Sequence, residues 1–144
     1  MDDGLAAAHP RLQLTLSHVW PWGLVTIADP DALDPPSGEG PVTADGHWVV
    51  LHVAHGPDGG DGREAHVHVE VRETAPPRTA RRVLYDHVLR TPRGVVAIGD
   101  SEQPVLVPTH PERTAVRVSV RPGDVPDRLG EVWVELGPDP YAGG

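Results

Sequence analysis

"REAHVHVEV", residues 63 to 71, alternates valine with a polar side chain at every position after Ala65. In a strand, successive side chains take opposite faces, so Val67, Val69 and Val71 share one face while His66, His68 and Glu70 share the other. A helix would scatter the same valines around its axis and leave no apolar stripe. The stretch therefore reads as a strand with one buried face. Its second face either binds a metal or meets water.

The same period of two recurs along the chain. Val116, Val118 and Val120 alternate with Arg117, Ser119 and Arg121, and Val132, Val134 and Leu136 alternate with Trp133 and Glu135. These six apolar residues are the expected core. Further strands are expected over 12–19, 23–29, 47–55, 64–73, 82–90, 94–99, 114–121 and 131–137, punctuated by 16 glycines and 17 prolines. The segment from Arg82 to Arg90 also fits a helical face, but its β-branched residues and the flanking Pro77 and Pro92 favour a strand. Strands at regular spacing without intervening helices imply an all-β fold, a single-domain antiparallel β-sandwich of about seven or eight short strands. A length of 144 residues suits one such domain. The expected boundaries are a flexible tail over 1–10, the sandwich over 11–137 and a second flexible tail over 138–144.

Composition limits the chemistry. There is no cysteine, which excludes disulfides, thiolate zinc sites and cysteine nucleophiles. Lysine, asparagine and phenylalanine are missing too, as expected of a GC-rich bacterial gene such as an actinomycete's. The formal charge is −9 and every fixed cationic side chain is an arginine. A field of that sign repels nucleic acid and anionic membranes and favours a basic protein partner. No apolar run approaches the roughly 20 residues a bilayer-spanning helix needs, and the start "MDDGLAAAHPR" is acidic where a secretory signal is basic. A cytoplasmic protein is expected.

The segments 47–55 and 64–73 are joined by one glycine-rich loop, so a hairpin is the economical pairing. Setting Val53 opposite Val67, Leu51 opposite Val69 and Val49 opposite Val71 makes one face wholly apolar. His52 then falls opposite His68, with His66 next to it. Three such imidazoles, with Glu70 as a fourth ligand or a base, have the donor set of a zinc site with an open position. The alternative is a solvated outer face carrying no metal.

Two other motifs call for comment. "VVAIGDSEQP", residues 95 to 104, resembles the nucleophile block of GDSL-type esterases, but no asparagine and no late Asp-x-x-His pair accompany Ser101. Asp100 and Ser101 read instead as turn formers, and no catalytic residue is expected. "WPWG", residues 20 to 23, places Trp20 and Trp22 on one side of an extended segment. They are candidates for core packing or for anchoring an interface.

Carboxylates gather in the loops: Asp29, Asp31, Asp34 and Glu39; then Asp58, Asp61 and Glu64; then Asp124, Asp127 and Glu131. Such clusters solubilise a protein or steer a basic partner onto it. The runs "RVLYDHVLRTPRGVVAIGD", "TAVRVSVRPGD" and "EVWVELGPDP", between Arg82 and Pro140, resemble in rhythm the ComJ-like proteins, relatives of a competence-nuclease inhibitor. The chain departs from that pattern in having "THPERTAVRV" where a Gly-x-Tyr turn is expected. The resemblance implies a non-catalytic sandwich that binds a nuclease or toxin. The functional expectation is thus an acidic immunity or inhibitor protein. Its partner-binding candidates are Trp20, Trp22, Asp29, Asp31, Asp34, Asp58, Asp61 and Glu64. A zinc-binding β protein using His52, His66 and His68, and an accessory domain of a larger assembly, are the alternatives.

Overall fold

The structure is a computed structural model that describes residues 11–18, 20, 23–38, 40–53, 64–74, 79–100, 103–123 and 129–140. Two five-stranded sheets form a β-sandwich. The first contains β1 (Leu12–His18), β5 (Ala65–Val71), β10 (Glu131–Pro138), β9 (Glu112–Val120) and β6 (Arg82–Thr91), in that spatial order. The second contains β3 (Val42–Ala44), β4 (Trp48–His52), β2 (Leu24–Ala28), β7 (Val95–Asp100) and β8 (Gln103–Pro108). Neighbours pair antiparallel except β5 and β10, which run parallel. No helix among the described residues is long and apolar enough to cross a membrane.

Eight of the ten strands coincide with the expected ones to within about three residues at either end. The stretch from Arg82 is a strand, and its register against β9 shifts between Val83 and Tyr85. That bulge explains why its side chains do not keep a clean alternation. β3 escapes a reading by periodicity because it is only three residues long. β8 escapes because Pro104 and Pro108 interrupt it; proline lacks the N–H of a central strand, and β8 is an edge strand.

The core lies between the inward faces. Val116, Val118, Val120, Val132, Val134 and Leu136 are all buried, as their alternation requires. Val67, Val69 and Val71 join them from β5, with Val49, Leu51, Ile27 and Ile98 opposite from the second sheet. Each such side chain removed from water contributes about 1.5–3 kcal/mol before the entropy of ordering is subtracted. Trp20 is also in the core, 3% exposed, with its indole N–H donating to Ala65 O at 3.2 Å. In a chain without phenylalanine, tryptophan supplies aromatic packing area, and this one has a buried partner for its polar atom. Trp20 is therefore a core residue and not an interface anchor.

The expected pairing of 47–55 with 64–73 does not form. β4 pairs with β2 and β3, while β5 pairs with β1 and β10, in the opposite sheet. Apolar residues of β4 and β5 join one core from opposite sheets instead of lying side by side in one. Hydrophobic alternation is satisfied equally well by either arrangement, because it dictates which face turns inward and is silent about the hydrogen-bonded neighbour. The ordered chain also extends past the expected boundary at 137: Pro138 belongs to β10 and Asp139 is buried.

The pairing is open to a direct check. Ser17 and His66 are register partners across the β1–β5 ladder, where opposed Cα atoms are about 4.5–5.5 Å apart, within disulfide reach. Mild oxidation should cross-link the Ser17→Cys/His66→Cys variant within one chain and leave His52→Cys/His68→Cys reduced, as read by thiol titration and non-reducing electrophoresis.

Candidate binding groove

The outer face of the first sheet takes the polar halves of the alternating strands. His66 Nδ1 lies 2.8 Å from Ser17 Oγ, and His68 Nδ1 lies 3.0 Å from Thr15 Oγ1. The second ring nitrogen of His68 is 2.8 Å from Glu131 Oε2, and its ring stacks on Trp133 with centroids 5.0 Å apart. The guanidinium of Arg81 lies over the same indole at 4.8 Å, so Trp133 is flanked by an imidazole and a cation. Glu70 pairs with Arg72 at 2.6 Å. His52 sits on the other sheet, with Nε2 3.5 Å from Thr43 Oγ1. The sandwich core, roughly 10 Å thick, separates its face from that of His66 and His68. The three histidines expected to share an ion are therefore not brought together, and the residues that do surround His68 and Glu70 are hydrogen-bonding and ion-pairing partners.

Alternation puts Glu135 on this same outer face, yet it is only 1% exposed. Arg117 covers it with Nη2 and Nε at 2.7 and 2.9 Å from Oε1; Arg81 Nη2 adds a contact at 3.4 Å, and Arg72 Nε lies 3.6 Å from Oε2. Three arginine stems lie across one carboxylate and shield it from water. The sequence signal for this cluster was visible only as separate charges on strands whose adjacency was unknown.

A groove opens elsewhere, where the edge strand β6 meets the turn between β3 and β4. Asp45 shapes that turn: its Oδ1 accepts the backbone N–H groups of His47 and Trp48 at 2.8 and 2.9 Å. Arg90 N donates to Gly46 O at 3.0 Å, tying β6 to the turn. On one side of this tie is a cavity of about 830 Å3 carrying Asp45, Asp86, Asp139, Tyr85, His87 and Arg113. On the other side is one of about 440 Å3 carrying Asp29, Asp31, His47, Arg90, Glu112 and Arg113. Arg113 lines both, so the two cavities are lobes of one groove.

The first lobe is predominantly acidic. Its one arginine among the described residues, Arg113, is 3.8 Å from the buried Asp139 carboxylate. Burial, aided by the Asp45 charge, pushes the Tyr85 phenol above its ordinary pKa, so it stays a neutral O–H at physiological pH. In the second lobe, Asp29 is 8% exposed. Its Oδ1 accepts from Asp31 N at 2.8 Å, whereas Oδ2 is buried without a hydrogen-bond partner among the described residues. Glu112 holds a φ of 70°, a left-handed backbone that a non-glycine residue adopts at a cost of about 1–3 kcal/mol.

The carboxylates named from the sequence divide accordingly. Asp29 and Asp31 line the second lobe, but burial removes Asp29 from any role as an exposed steering charge, and Asp31 is ion-paired with Arg93 at 2.7 Å. Asp34 and Glu64 are exposed and line neither lobe. Trp22, Asp58, Asp61 and Ser101 lie outside the described residues. Asp45, Asp86, Asp139 and Arg90 were not singled out by sequence reasoning. Each read as an ordinary turn or outward strand residue, and Asp139 fell in the expected tail.

No protein-family model and no curated protein matches the chain. Among solved structures, "Crocagin biosynthetic gene J" is similar over 88% of this chain and 96% of that one, at 14% sequence identity and a TM-score of 0.49.

Two expectations follow from the charged outer face. The hydrogen bond with His68 holds the Glu131 carboxyl below its ordinary pKa; partial burial opposes this and the Arg121 charge assists it. A carboxyl whose folded pKa is depressed stabilises fully above its unfolded pKa and loses that contribution as pH falls through the folded value. The stability difference between wild type and Glu131→Gln should therefore shrink on acidification below about pH 4, as measured by urea unfolding at a series of pH values. Replacing Glu135 leaves three guanidinium groups facing one another in a largely dry site. Glu135→Ala should cost about 3 kcal/mol, read from the urea midpoint at neutral pH.

Proposed function

We propose that this is a non-catalytic binding protein that docks a basic protein partner, in the manner of a cytoplasmic immunity or inhibitor protein facing a nuclease-like toxin. The observation that carries the reading is the first lobe of the groove, where Asp45, Asp86 and Asp139 line a cavity of about 830 Å3 with Arg113 as the only arginine among the described residues. A cavity of that size accepts a whole arginine or lysine side chain. Asp86 is exposed at its mouth. The neutral phenol of Tyr85 adds a hydrogen-bond donor that a carbonyl of the incoming segment can accept.

The overall charge of −9 supplies the long-range part of the recognition. It draws a basic partner inward and orients it before contact, an effect that acts mainly on the association rate and weakens as salt screens the field. Once docked, a cation in the lobe meets several carboxylates against partly apolar walls. There it is worth more than the same pair on an open surface, whose typical value is about 0–1 kcal/mol.

An arginine-rich nonapeptide carrying a fluorophore serves as the probe. Its affinity, followed by anisotropy, should fall steeply between about 50 and 300 mM salt. Asp86→Asn should weaken it several-fold, while Asp34→Asn, which removes the same charge away from the groove, should leave it nearly unchanged. Equal effects from the two substitutions would mean that the peptide senses net charge alone, and would overturn the assignment to this lobe.

A further inference from the structure

Four strands lie at the sheet edges: β1 and β6 in the first sheet, β3 and β8 in the second. An edge strand presents backbone N–H and C=O groups that no ladder uses, and proteins blunt such edges with short strands, prolines, bulges or charges. β3 has only three residues, and β8 carries Pro104 and Pro108. β1 carries no acidic residue, and its outer side chains Gln13, Thr15 and Ser17 are hydrogen-bonded to Glu70, His68 and His66 of β5. β6 is the longest described strand, ten residues without a proline, and its bulge lies near its start, between Val83 and Tyr85.

Pairing fixes which backbone groups of β6 are open. Arg90 N donates to Gly46 O, so this N–H points away from β9. The N–H and C=O of one residue share a side, and the sides alternate along an antiparallel strand. The same groups of Asp86 and Val88 therefore also point away from β9, while His87 and Leu89 turn theirs towards it. Among the described residues no hydrogen bond reaches the outward groups of Asp86 and Val88. The first lobe wraps this edge. Asp86 and Val88, register partners of Arg117 and Ala115, line it from the outer side. Tyr85 and His87, partners of the buried Val118 and Val116, line it from the side of the second sheet. A strand laid along the edge sends alternate side chains to these two sides. On one they meet the exposed Asp86, and on the other the exposed Asp45.

We propose that an extended, basic segment of the partner adds to the β6 edge as a further strand, bonding the backbone of Asp86 and Val88 and setting its cationic side chains against Asp86 and Asp45. The proposal rests on the reading of the first lobe as a cation site and adds the mode of docking: main-chain bonds give affinity and alternate side chains give selectivity. The occupant is a basic segment and not a second copy, because chains of net charge −9 repel one another and the edge carboxylates share that sign. The bond from Arg90 N to Gly46 O closes the edge at one end and the bulge bounds it at the other, so the segment is short.

The probe is the fluorophore-labelled nonapeptide with arginine and threonine alternating, the threonines favouring an extended chain. With the peptide saturating, hydrogen exchange at the Asp86 and Val88 amides should slow about tenfold or more, and exchange at His87 and Leu89, already bonded to β9, should change far less. Val88→Pro removes one outward N–H and no ladder bond, which an edge strand accepts, and should weaken the peptide about tenfold or more with every charge in place. On the wild-type chain, peptides N-methylated at every arginine or at every threonine should differ in affinity about tenfold or more, because only one set of N–H groups faces β6. Unchanged exchange at Asp86 and Val88, equal affinities of the two methylated peptides, or unchanged binding by a folded Val88→Pro chain would overturn strand addition. If the unmodified peptide binds without these signatures, the cation site stands and the added strand falls; if it does not bind, both fall. A dimer seen by light scattering and dissolved by Val88→Pro would make a second copy the occupant and overturn the choice of a basic one.

Discussion

Everything in this molecule depends on two rows of branched aliphatic side chains meeting between the sheets. Valines and leucines from β5, β9 and β10 on one side face Val25, Ile27, Val49, Leu51, Val96 and Ile98 on the other. Their period of two commits every intervening residue to an outer face. Histidines, arginines and glutamates consequently lie on the outer surface of the first sheet, and the carboxylates of the groove cluster where strand edges and turns meet. The polar chemistry of the protein is in this sense a by-product of the core geometry.

Those outer residues are nevertheless not equivalent. Around Glu135 and Trp133 the charges close on one another: three arginines, a stacked imidazole and neighbouring carboxylates satisfy one another across β5, β9 and β10. A face so occupied has little left to offer a ligand and acts as a polar lid over the sheet. The groove beside β6 is different. Among the described residues its carboxylates outnumber its arginines in the first lobe, and in the second Asp29, Asp31 and Glu112 share a cavity with Arg90 and Arg113. We propose recognition at the groove, where carboxylates line a cavity, and a stabilising role for the outer face, where three arginines converge on one buried carboxylate.

The topology explains why the groove exists. β6 is an edge strand, and a backbone bond from Arg90 N to Gly46 O links it to the turn of the other sheet. A sandwich must manage its open edges. Here the edge is partly covered by the β3–β4 turn, shaped by the Asp45 side chain, and the space on either side of that tie forms the two lobes. The parallel neighbour β10 beside β5 belongs to the same logic, since it brings Glu131, Trp133 and Glu135 alongside the histidine strand and gives His68 the partners that a hairpin with β4 would have denied it.

By itself the amino-acid sequence determined the fold class, eight of the strands, the inward residues of β5, β9 and β10, and the acidity of the molecule. All of these are local: alternation, turn chemistry and charge can be read along a few residues at a time. The tertiary structure alone decided which strands are neighbours. It separated His52 from His66 and His68, buried Trp20 and Asp29, and assembled Asp45, Asp86 and Asp139 from three distant segments into one cavity. The physical reason is that hydrophobic burial rewards a face and is indifferent to its lateral partner, whereas a ladder of backbone hydrogen bonds can be completed by any strand of suitable length. The choice among partners is made by the packing of the whole chain.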